Sequence, residues 1–85
     1  MVKMTFWDKA RKDLHRLGRP LRRQIVLVCK EIFDDFAIGK PLTGTLSGYR
    51  GHRMGVYRIV YKVTASSHIE IVAIGHRKDI YERMR

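Results

Sequence analysis

Apolar positions change their period along this chain, and the changes divide it into elements. Residues 2–6 alternate weakly and predict a short strand. Beyond them the period becomes helical. Trp7, Ala10, Leu14 and Leu17 recur at spacings of three and four and so share a face, which makes Trp7 a core residue. Lys9, Arg11, Lys12, Asp13, His15 and Arg16 cover the rest of that helix. Asp8 suits its first turn, where a carboxylate meets the positive end of the helix dipole. Gly18 is placed to end it as a C′ glycine. Pro20 fits the first turn of a second helix over residues 21–36. Its stripe is Leu21, Ile25, Val28, Ile32 and Phe36, widened by Cys29 and Phe33, and Gly39 and Pro41 stop it. So short a link between two helices predicts an antiparallel hairpin.

The period then drops to two. Residues 40–47 are turn-rich and read as an extended connection, with Leu42 and Leu46 returning to the core. Residues 46–61 read as strand, tight turn at Gly55 and strand, the second strand covering residues 56–63. Residues 65–67 make a short polar turn, and residues 68–74 the last strand. Strands joined so locally pair antiparallel. The expected fold is α+β: a single domain over residues 1–85, with an N-terminal strand, a helical hairpin and a three-stranded antiparallel meander. The helices pack on one face of a four-stranded mixed sheet and leave the other at least partly open.

Alternation assigns the faces. Tyr57, Ile59, Tyr61 and Val63 should meet the helices, while Val56, Arg58, Val60 and Lys62 take the open side. In the last strand Ile69, Ile71 and Ala73 form one set, and His68, Glu70, Val72 and Ile74 the other. Arg50 and His52 share a face opposite to Arg53 unless a bulge resets the register. The open face would be an apolar floor of Val60 and Val72 ringed by cations. Arg77 and Tyr81 follow the last strand closely enough to return to it.

Charge sharpens this picture. Lys and Arg number 18 against 8 acids, a formal +10, and no acid falls within residues 36–69. An acid-free basic hairpin calls for an anionic partner, a nucleic acid or an acidic protein segment. No apolar run is long enough to span a membrane, and the N-terminus lacks the pattern of a signal peptide. The single cysteine, Cys29, allows no internal disulfide and reads as a small buried hydrophobe, which fits a reducing cytoplasmic setting. The four histidines are dispersed and no carboxylate lies near the hairpin, so neither a metal nor another cofactor is expected.

Three stretches carry a resemblance. Leu46-x-Gly48, the run from His52 through Arg53, Gly55, Tyr57, Arg58 and Ile59 to Tyr61, and the run from Ile74 through Gly75, His76, Arg77 and Lys78 to Tyr81 together resemble the RelE/ParE superfamily of toxin–antitoxin toxins. Ala10, Asp13, Leu14 and Leu17 match its leading helix, and Pro20 and Ile25 its second. Val56 stands where aspartate is common. Arg50 and His52 replace the paired lysines of some members.

The resemblance implies one of two activities. The RelE-like branch cleaves messenger RNA in the ribosomal A site, without a metal, by attack of the 2′-hydroxyl on the adjacent phosphate. The ParE-like branch inhibits DNA gyrase. His52 with Arg53, Arg58, Arg77 and Tyr81 matches the nuclease set, with Arg58 and Arg77 assigned to the phosphorane, His52 to acid or base work, and Tyr81 to base stacking or help with proton transfer. Arg50, Lys62, His76 and Lys78 are candidates for binding RNA phosphates. The resemblance further implies a small acidic antitoxin, contact with messenger RNA and the ribosome, and operator DNA bound only through the toxin–antitoxin complex. A non-catalytic nucleic-acid-binding domain is the alternative outside both branches.

Overall fold

The computed structural model describes residues 3–64 and 67–84. Val2, in the expected first strand, and Ala65 and Ser66, in the expected polar turn, lie outside the described residues. The elements are β1 (Lys3–Phe6), α1 (Asp8–Arg16), α2 (Arg19–Asp34), β2 (Lys40–Pro41), β3 (Arg50–Met54), β4 (Tyr57–Val63), β5 (His68–His76) and α3 (Ile80–Arg83). The sheet order is β1-β5-β4-β3-β2. β1 runs parallel to β5, which needs the helical crossover between them, and the remaining pairs are antiparallel. The sheet therefore has five strands where four were expected. Lys40 and Pro41, taken as connection, pair with Gly51 and Arg50 at the sheet edge, where a proline has no N–H to waste.

One face of the sheet carries the helices. Ala10 of α1 and Ile25, Cys29 and Ile32 of α2 bury against Ile59, Tyr61, Ile69, Ile71 and Ile74. α2 starts two residues earlier than predicted and ends at Asp34. Asp35 then caps a short 3-10 turn by accepting from the N–H of Ala37, which swings Phe36 away from the stripe. Phe33 and Phe36 stand 40% and 42% exposed. Gly18 is extended rather than left-handed, at φ −64°, and serves as the N-cap of α2. Asp13, expected on the surface, is buried, and its carboxylate accepts the N–H of Ile74 at 3.1 Å. β1 ends opposite Ile71, so that N–H has no strand beside it, and the helix supplies the acceptor instead.

A bulge in β5 decides what faces the other side. Val60 pairs with Ala73 but Tyr61 pairs with Ile71, so Val72 is an extra residue. Ile74 thereby joins the helix-side core and Ala73 turns to the opposite face, each the reverse of its expected placement, while Val72 stays with Val60 as expected. The expected open floor is also roofed. Ile80 of α3 buries Val60, Val72 and Ala73, with Leu42, Tyr49, Tyr81 and Met84 around them.

Candidate functional site

Arg58 is the centre of the far face. It lies on β4 directly across from Arg53 on one side and Gly75 on the other. Its Nη1 donates to the hydroxyl of Tyr81 at 2.5 Å, and its guanidinium carbon stands 5.4 Å from the centre of that ring. Its Nε is buried without a hydrogen-bond partner. Among the described residues neither Arg53 nor Arg58 forms an ion pair. Like charges placed directly opposite on adjacent strands repel, so this pair is held together against its electrostatics. Gly51 makes room for the arrangement. A Cβ there would stand 3.3 Å from Leu42 and 3.5 Å from the Tyr81 hydroxyl.

Beside this pair opens a cleft of about 500 Å³ lined by Ile38, Lys40, Pro41, Leu42, Gly51, His52, Arg53 and Arg58. It exists because β2 is only two residues long and covers β3 at Arg50 and Gly51 alone. From His52 to Met54 the edge of β3 is bare. His52 pairs with buried Ile59, so by register it belongs to the helix side of the sheet and reaches the cleft across that bare edge. Lys40 joins the cleft as a cation that sequence reasoning missed. Its one advance signal was membership of the acid-free span.

The other predicted residues separate. Arg50 pairs with Tyr61 and points to the helix side, where its Nε donates to the carbonyl of Gly39 at 3.1 Å and its guanidinium lies 5.9 Å from the Phe36 ring. Tyr61 completes this clamp: its hydroxyl donates to the carbonyl of Phe36 and accepts from the N–H of Gly39. Burial pushes the Tyr61 phenol above its ordinary pKa, a rise that its contacts with Gly39 and Arg50 oppose. The clamp fixes the chain that becomes the cleft wall. Lys62 takes Arg58's face but sits 5.2 Å from the Trp7 ring and 6.0 Å from the Tyr49 ring. Trp7 is 36% exposed there, its Nε1 donating to Glu70 at 2.7 Å, and so is no core residue. His76 pairs with Tyr57, stacks edge-on against it at 6.0 Å, and accepts the N–H of Lys78 through Nδ1. It is therefore turned from Arg58. Arg77 and Lys78 are exposed in the turn after β5, and the N–H of Arg77 bonds the carbonyl of Val56. Among the described residues no three His, Cys, Asp or Glu side chains gather closely enough to hold a metal ion.

The sequence pattern of the family described as the ParE toxin of the type II toxin–antitoxin system, parDE, matches residues 5–81. The toxin RelG of Mycobacterium tuberculosis is 34% identical over 86 residues, covering 94% of this chain and 95% of its own. This chain belongs to the RelE/ParE superfamily of toxins from type II toxin–antitoxin systems. Solved structures agree. The RelBE2 toxin–antitoxin complex of M. tuberculosis superposes with a TM-score of 0.81 at 28% identity, covering 88% of this chain and 96% of that one. The RelB–RelE complex of Methanococcus jannaschii gives 0.73 at 26% identity, with 94% and 98% covered. On this RelE/ParE fold, the matched tyrosine–arginine motif divides at the sheet. Tyr57 packs with the helices, and Arg58 faces the cleft.

Proposed function

We propose that this chain is the ribonuclease kind of RelE/ParE toxin, cleaving messenger RNA in the ribosomal A site without a metal. The observation that carries the reading is the Arg53–Arg58 pair, without an ion-pair partner among the described residues and with Tyr81 on Arg58, beside a cleft of about 500 Å³. A crowded phosphorane is the anion such a pair suits. In the reaction the RNA 2′-oxygen bonds to the neighbouring phosphorus and the bond to the 5′-oxygen breaks. The products are a 2′,3′-cyclic phosphate and a 5′-hydroxyl. Arg58 and Arg53 bind the non-bridging oxygens, and the exposed Arg77 beyond β5 is proposed to reach toward the strand from outside the cleft. Tyr81 accepts from Arg58 and keeps its own proton free to donate, which fits protonation of the leaving oxygen. His52, which also lines the cleft, is the candidate base for the 2′-hydroxyl.

A small acidic antitoxin is the partner this reading requires. The formal charge of +10 supports it, as does the likeness to two chains seen in toxin–antitoxin complexes. Operator DNA would be met through that complex. The test uses ribosomes programmed with a defined message, with free RNA alongside and the cut ends mapped. Arg58→Ala is expected to lower cleavage by at least ~10²-fold while the domain stays folded. Undiminished cleavage by that variant rejects the role of Arg58. A second reading, inhibition of DNA gyrase, is favoured by the ParE identity of the matching family pattern. A supercoiling assay on the same preparation separates the two.

A further inference from the structure

The far face of the sheet carries a second cluster that the cleft does not use. Lys62 stands on the same side of β4 as Arg58, four residues on and so about 13 Å away. Its ammonium lies 5.2 Å from the Trp7 ring and 6.0 Å from the Tyr49 ring. Among the described residues it forms no ion pair, although Glu70 is its cross-strand neighbour. Glu70 instead accepts from the Trp7 indole at 2.7 Å, which fixes how the ring stands while leaving Trp7 36% exposed. Tyr49 is anchored at the border of the cluster beneath α3. The result is one uncompensated cation between two oriented aromatic rings on a sheet face.

We propose that Trp7, Tyr49 and Lys62 form a second station for single-stranded RNA, separate from the cleft. This rests on the RNA reading above. Lys62 takes a backbone phosphate, and unpaired bases stack on the indole and the phenol. A duplex does not fit, because its base faces are already stacked on one another. Stacking accepts any base, so the station holds the strand beyond the cleft without choosing its sequence. Its job is retention of the message, and the cut site is left to the cleft.

Trp7 is the single tryptophan, so its fluorescence reports on this station alone. The probe is a 2′-O-methylated RNA of about eight nucleotides, within the usual size of single-strand sites and unable to react through a 2′-oxygen. The full chain is titrated while anisotropy of a labelled probe records binding in the same cuvette. Saturable quenching of Trp7 is expected with the single strand and not with its duplex. Lys62→Met should weaken binding about ten-fold and reduce the slope of log K against log salt by ~0.7, one single-strand phosphate. Tyr49→Leu should weaken binding about ten-fold with little change in that slope. Binding that leaves Trp7 fluorescence unchanged overturns the station even if cleavage is intact. Quenching that is equal with duplex, or affinity untouched in both Lys62→Met and Tyr49→Leu, overturns it too. A protein that quenches but never cleaves loses the nuclease reading and keeps the station.

Discussion

Replacing Tyr61 with phenylalanine removes one oxygen from a fully buried side chain, and the structure allows its cost to be worked out. The hydroxyl accepts the N–H of Gly39, which is itself buried, and donates to the carbonyl of Phe36. Leaving the Gly39 N–H unsatisfied costs about 1–3 kcal/mol, and losing an ordinary hydrogen bond at the half-buried carbonyl about 1 kcal/mol more. A loss of about 3 kcal/mol is a large share of the total stability of about 4–13 kcal/mol for a chain of this length. With a urea m-value of about 1–1.5 kcal/mol/M, the midpoint should fall by roughly 2–3 M. Alkaline pH supplies a second reading of the same group. Burial raises the folded pKa of Tyr61 above the unfolded value of about 10. Below that pH the phenol is protonated in both states and its contribution is complete. As pH rises past about 10 the unfolded chain ionises first, so stability falls until the folded pKa is passed. The difference between wild type and Tyr61→Phe should therefore shrink above pH 10. A midpoint shift under about 0.5 M at pH 7, or a difference that grows with alkali, refutes the clamp.

Two further outcomes follow from the helix side. Asp13→Ala strands the N–H of Ile74 and should cost about 1–3 kcal/mol by urea unfolding, with the exposed Asp8→Ala on the same helix as the near-neutral control. The thiol of Cys29 is buried and its pKa is pushed up to about 12, so alkylation at pH 8 should be negligible in the folded protein and should follow unfolding when denaturant is added. Rapid modification under native conditions would contradict that burial.

Much of the fold could be read from the sequence because period and punctuation agreed. The helical spacing of Ala10, Ile25, Cys29 and Ile32 found the core, and Gly55 marked the turn between β3 and β4 at φ +60°. What was not legible depended on non-local pairing. The bulge at Val72 has no glycine to announce it, and one extra residue exchanged the faces of Ala73 and Ile74. Asp13 looks like a surface residue on a helical wheel, because the unpaired N–H it serves lies on a strand 61 positions away. The candidate site divided for the same reason. Arg53, Arg58 and Tyr81 share the cleft's face, whereas the cross-strand partners of Arg50 and His52 turn both to the helix side. No composition argument sees that parity. Trp7 was misread because spacing joined it to the face of α1, while it precedes that helix and hydrogen-bonds across β5.

The placing of Arg53 directly across from Arg58 has a practical consequence for handling the protein. On the phosphate-binding role proposed for them, an oxyanion held by both would relieve repulsion in the folded chain and find no equivalent seat once the strands part. Mass action then ties melting temperature to the buffer anion. Sulfate or phosphate would raise it above the value in chloride at matched ionic strength, beyond general screening. On the proposed nuclease reading, storage salt becomes a quiet competitor for the cleft, and cleavage assayed in phosphate buffer would come out too low.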